Sequence, residues 1–113
     1  MSAYLEIEEV SAEPEFGNCG RSGWGFTLWN APLYNEPHRP LLERFSKQYP
    51  ESVLDLPAHY PEEDCVAGSV TWQSHLISIW YEEILAYLRF WSADRATIES
   101  FRTALLPLAI IAS

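Results

Sequence analysis

Apolar positions in this chain recur with a period of two in its first, second and central stretches, and with helical three-and-four spacing in two others. From Tyr4 to Val10, Leu5 and Ile7 alternate with Tyr4, Glu6 and Glu8, which predicts a strand with one dry and one wet face. Residues 11–23 contain Pro14, Gly17, Asn18, Gly20 and Gly23 and read as a loop. Trp24 to Trp29 predicts a second strand, with Trp24, Phe26 and Leu28 on one face. Gly25, Thr27 and Trp29 then take the other, so the Trp29 indole is expected on the outer side. Helical spacing follows: Leu41, Leu42, Phe45 and Tyr49 form a stripe opposite Glu43, Arg44 and Lys47. Asn35 is the expected N-cap and Pro50 closes the helix. Residues 50–65 hold Pro50, Pro57, Pro61 and the acids Glu51, Asp55, Glu62, Glu63 and Asp64, and predict no regular element.

The stretch from Gly68 to Trp91 is the most apolar and admits two periodicities. As strands it is a hairpin: Val70 to Trp80, a turn at Tyr81-Glu82-Glu83, then Ile84 to Trp91, filled with β-branched and aromatic side chains. As a helix, Leu76, Ile79, Trp80, Ile84, Tyr87, Leu88 and Trp91 would share one face, but Glu83 would fall among them and no loop would precede the next helix. Strands are preferred, although Glu-Glu is poor turn chemistry. Ser92 is the expected cap of a final helix, with Asp94 in its first turn. Ile98, Phe101 and Leu105 form its buried side, Pro107 stops it, and the tail Leu108 to Ala112 either adds a short strand or packs as an extension. The order predicts a single α+β domain over residues 1–113: an antiparallel β-sheet with two helices packed on one face.

Length and composition support that class. A chain of 113 residues with 48% apolar content can bury a core without staples. Five tryptophans exceed what such a core needs, so some rings are expected at a surface. Cys19 and Cys65 form no disulfide framework. Residues 1–20 contain five glutamates and no Lys or Arg, and the longest apolar run is too short for a bilayer. A cytoplasmic protein is expected. The formal charge is −9, and Lys and Arg are missing from residues 1–20 and 48–88. Such a field disfavours nucleic acid and anionic membranes and steers a basic protein partner; the plainer alternative is that acidity only keeps the chain soluble.

Catalytic chemistry leaves little trace. The Gly17-Asn-Cys-Gly-Arg-Ser-Gly23 run lacks the spacing of a phosphate-binding loop. His59, Glu62, Glu63, Asp64 and Cys65 cluster without paired-ligand spacing, so no metal or other cofactor is implied. No nucleophile stands in a recognisable triad setting. Glu82-Glu83 between apolar neighbours is the one acid/base candidate. It belongs to an alternative in which Trp72, Trp80 and Tyr87 line a pocket for a small molecule. The stronger pattern is aromatic anchors beside acids, which suits a protein interface. The expected partner-binding residues are Trp29, Asp55, Glu62, Glu63, Asp64, Trp80, Tyr81, Glu82 and Glu83. In size, charge and element order the chain resembles the small acidic immunity proteins of bacterial polymorphic toxin systems. The resemblance implies a non-catalytic inhibitor that occludes a basic toxin or nuclease. A homodimer formed through the central apolar hairpin is a further alternative.

Overall fold

The computed structural model describes residues 4–14, 22–30, 38–56, 65–82 and 87–109. They form β1 (Tyr4–Ile7), β2 (Ser11–Pro14), β3 (Ser22–Asn30), α1 (His38–Gln48), β4 (Val53–Asp55), β5 (Cys65–Trp72), β6 (His75–Glu82), β7 (Tyr87–Ser92) and α2 (Arg95–Ala109). All seven strands join one sheet in the order β1-β3-β7-β6-β5-β4, with β2 also on β3. Every pairing is antiparallel. The expected α+β architecture is thus the one observed, and residues 65–82 and 87–92 are strands rather than helix.

Alternation sorts each strand into two faces. Phe26 and Leu28 of β3, Leu88 and Phe90 of β7, Ile77, Ile79 and Tyr81 of β6, and Val70 and Trp72 of β5 are all buried on one side. There they meet Leu41, Leu42 and Phe45 of α1 and Ile98, Phe101, Leu105 and Ala109 of α2. Both helices therefore cover the same face. Phe101 sits at the centre, with ring centroids 4.9 Å from Phe45, 4.8 Å from Phe90, 6.3 Å from Phe26 and 6.2 Å from Trp72. Edge and tilted contacts of this kind add to plain burial because ring faces are negative and ring edges positive.

Several local expectations are corrected. The loop expected over 11–23 contains β2, and the 50–65 segment contains the short edge strand β4. The strand expected from Val70 to Trp80 is two strands. It breaks at Gln73 and Ser74, whose φ values of 50° and 67° make a tight two-residue hairpin. A primed turn needs positive φ at both central residues, and Gly or Asn usually supplies it. Here Gln73 and Ser74 do so, which hides the turn from a composition-based reading. Tyr81 and Glu82 belong to β6 and not to a turn.

Asp94, not Ser92, caps α2. Its carboxylate accepts from the Thr97 N–H (3.0 Å) and hydroxyl, while Ser92 Oγ accepts from the Asp94 N–H (3.2 Å). Pro107 lies inside α2, which continues to Ala109. The lost N–H falls in the last turn, where the ladder is ending anyway, and Arg44 Nη2 donates to the Leu108 carbonyl at 3.2 Å. The Asn35 cap, the Ile84 start of the second hairpin strand and the tail beyond Ala109 lie outside the described residues. No helix among the described residues is long and apolar enough to cross a membrane.

Candidate functional site

The second face of the sheet has no helix over it among the described residues, and its composition is unlike that of a merely wet face. Register sets the outward side chains in rows. Glu6, Trp29, Tyr87 and Glu82 form one row across β1, β3, β7 and β6. Thr27, Arg89, Trp80 and Ala67 form the next, then Gly25, Trp91, Ser78, Ser69 and Asp55. Leu76, Thr71 and Val53 close the far end. The three large hydrophobic side chains exposed among the described residues, Trp29 (38%), Val53 (62%) and Leu76 (63%), all belong to this face. Between them the outward residues of β5 are small, leaving a low floor flanked by Trp80 and Leu76 on β6.

The first row is knitted by polar contacts that use up its donors. Trp29 Nε1 donates to Glu8 Oε2 at 3.0 Å, and the Trp29 and Tyr87 rings meet edge to face at 5.5 Å. Trp80 Nε1 donates to the Tyr87 hydroxyl at 3.1 Å, and that hydroxyl is in turn hydrogen-bonded to Glu82. Burial, then the bond to Glu82, pushes the Tyr87 phenol above its ordinary value.

Two glycines let groups lie flat across β3. A Cβ on Gly23 would come within 2.4 Å of the Trp91 ring, and one on Gly25 within 2.5 Å of Glu13 Oε1. The Trp91 indole therefore crosses the sheet to donate to the Glu13 carbonyl at 3.0 Å. The Glu13 carboxylate reaches Arg89 Nε at 3.5 Å. Burial pushes the Glu13 carboxyl up, outweighing the downward pull of Arg89, and Glu8 adds to the rise. The Thr27 hydroxyl is buried nearby with no hydrogen-bond partner among the described residues.

Charge divides between the two sides. Among the described residues the sheet face carries Glu6, Glu8, Glu13, Asp55 and Glu82 against Arg89. The helices carry Arg39, Arg44, Lys47, Arg95 and Arg102 against Glu43 and Glu99. Arg95 lies over the Trp24 ring at 4.7 Å, Arg102 lies 5.9 Å from the Phe26 ring centroid, and Arg102 Nε donates to the Glu8 carbonyl at 2.8 Å. These bases are thus engaged on the helix side of the sheet.

Of the residues expected at a partner surface, Trp29, Asp55, Trp80 and Glu82 lie on this one face. Tyr81 faces the opposite way and is 2% exposed in the core. Glu62, Glu63, Asp64 and Glu83 lie outside the described residues. Trp72 is buried on the helix side, where Nε1 donates to Ser100 Oγ at 3.2 Å, so the sheet separates it from Trp80 and Tyr87. A pocket lined by those three rings is therefore not what the fold builds. Sequence reasoning missed Glu6, Glu8, Glu13, Tyr87 and Arg89 as members of this face. Period-two alternation from Trp29 and Trp80 would have found Tyr87 and Arg89, given the strand pairing. Among the described residues no group of three or more His, Cys, Asp or Glu is arranged to hold a metal ion. No known family, curated protein or solved structure matches the chain.

Proposed function

We propose that the chain is a non-catalytic binding module in which the sheet face opposite the two helices docks a basic protein, in the manner of an acidic cytoplasmic immunity protein that covers a toxin or nuclease. The single observation that carries this is that every large exposed hydrophobic among the described residues falls on the face that also holds five carboxylates and one guanidinium. Aromatic and aliphatic anchors supply desolvation energy, and surrounding charge selects the partner and speeds encounter. A second copy of the chain is a poor occupant, because two such faces would bring like charges together.

The test compares wild type with a Glu6→Lys/Glu82→Lys variant as affinity bait in the native host. The expected result is a basic protein held by wild type and lost from the variant. Its own activity should be suppressed in the complex, and its association rate should fall steeply with salt. Equal retention by both baits, or association indifferent to salt, refutes docking through this face.

A further inference from the structure

Resting on that docking reading, the geometry points to a guanidinium seat within the face: the row Glu6, Trp29, Tyr87, Glu82, with Trp80 beside it, receives one arginine side chain of the partner. The first ground is a donor inventory. Trp29 Nε1 is taken by Glu8, Trp80 Nε1 by Tyr87, and the Tyr87 hydroxyl by Glu82. What the cluster still offers is acceptor capacity: the remaining lone pairs of Glu6, Glu8 and Glu82, and the exposed π-surface of Trp29. The matching ligand is rich in donors, has no acceptor and carries positive charge, which guanidinium and ammonium groups satisfy at neutral pH.

Charge gives the second ground. Among the described residues Arg89 is the one base on this face, and it stands beside Trp80 in ion-pair contact with Glu13. Glu6, Glu8 and Glu82 remain to attract a further cation. Geometry then selects arginine over lysine. Glu6 and Glu82 are three strand spacings apart, roughly 14 Å, too far for one cation to touch both. A planar guanidinium can stack on the Trp29 indole while forking onto one carboxylate, whereas an ammonium makes only a point contact.

Indole resonances supply the test, since the chain has five tryptophans and each gives one Nε1–H signal in a proton–nitrogen correlation spectrum. The folded, isotope-labelled chain is titrated at low salt with hexa-arginine, hexalysine and hexaglutamate peptides. Hexa-arginine should move the Trp29 and Trp80 signals and leave Trp24 and Trp72 in place. It should bind at least about threefold more tightly than hexalysine, and hexaglutamate should do nothing. Trp29→Ala should weaken hexa-arginine by about fivefold, with Trp29→Phe retaining most of the affinity should the alanine variant fold poorly. Equal binding of the arginine and lysine peptides overturns the guanidinium assignment. Binding that shifts Leu76 and Val53 amides but neither Trp29 nor Trp80 overturns the seat and leaves docking to the face intact. Absence of binding anywhere on the face overturns both.

Discussion

Truncating Phe101 tests whether the protein has one core on one side of its sheet. The ring is fully buried and contacts rings from α1 (Phe45), β3 (Phe26), β5 (Trp72) and β7 (Phe90), so it joins both helices to the sheet. Phe→Ala changes at buried sites cost about 3–5 kcal/mol, the lost transfer energy plus that of the cavity left behind. Four ring neighbours drawn from separate elements cannot all collapse into the gap, so the upper half of that range is expected. A domain of this size is stable by about 5–15 kcal/mol in total. With a urea slope of about 1.5 kcal/mol per molar, a loss of ~4 kcal/mol lowers the unfolding midpoint by roughly 2.7 M. Leu76→Ala is the matching change on the other face. Leu76 is 63% exposed, so its loss should stay within about 0.5 kcal/mol.

Urea unfolding followed by far-ultraviolet dichroism reads both variants. Phe101→Leu stands in if the alanine form does not fold, with a loss of about 1–2 kcal/mol expected. A Phe101→Ala loss under about 1.5 kcal/mol would show that the ring cluster is not what unites the layers. A Leu76→Ala loss above about 2 kcal/mol would show that the outer face is covered in solution and not open.

Three further outcomes follow from local geometry. A carboxyl whose folded pKa lies above its unfolded value of 4.5 holds its proton better in the native state, so its contribution is greatest at low pH and is lost as pH rises through the folded value. Wild type should therefore lose stability relative to Glu13→Gln as pH rises above 4.5, measured by urea titration at several pH values; a relative gain refutes the dominance of burial over Arg89. Tyr87→Phe removes the acceptor of Trp80 Nε1 and the donor to Glu82, and should cost about 1 kcal/mol, with the Trp80 indole signal shifting most; an unmoved signal would contradict the bond. Ser74→Gly relieves a φ of 67° and should stabilise the β5–β6 hairpin by about 0.5–1 kcal/mol, checked by thermal unfolding, where any loss would count against strain at the turn.

The parts of the fold legible in the sequence are those where pattern and burial coincide. Trp24 to Trp29 alternates cleanly because one face meets helices and the other does not, which already placed Trp29 outward. Leu41, Leu42 and Phe45, and Ile98, Phe101 and Leu105, gave both helices for the same reason. The Gln73-Ser74 turn was hidden because the surrounding register and the polar contacts of Gln73 with Ser100 hold two L-residues at positive φ, where no composition cue marks it. β2 was hidden because Ser11, Ala12 and Glu13 carry no apolar alternation, and its pairing depends on Gly23 and Gly25 of the neighbouring strand. The site was legible as residue types but not as a surface. Trp80 and Tyr81 are consecutive in one strand and must point to opposite faces, so both cannot serve one partner.

The division of labour between the faces follows from coverage. A sheet six strands across is roughly 25 Å wide. Two helices, each about 10 Å in diameter, can roof one side of it and no more. The other side must either be polar enough to stand in water or be covered by something else. In a face made only to be wet, threonine, lysine and glutamate would suffice on the outward positions of β3, β6 and β7. Instead those positions hold Trp29, Trp80, Tyr87 and Trp91, with one arginine tied to a partly buried glutamate and glycines placed to admit both. Aromatic side chains held in fixed orientation by Glu8 and Tyr87 lose little entropy when a partner lands on them. Rigid rings with their donors already spent, set in a field of carboxylates, are the features on which the proposed docking of a basic protein rests.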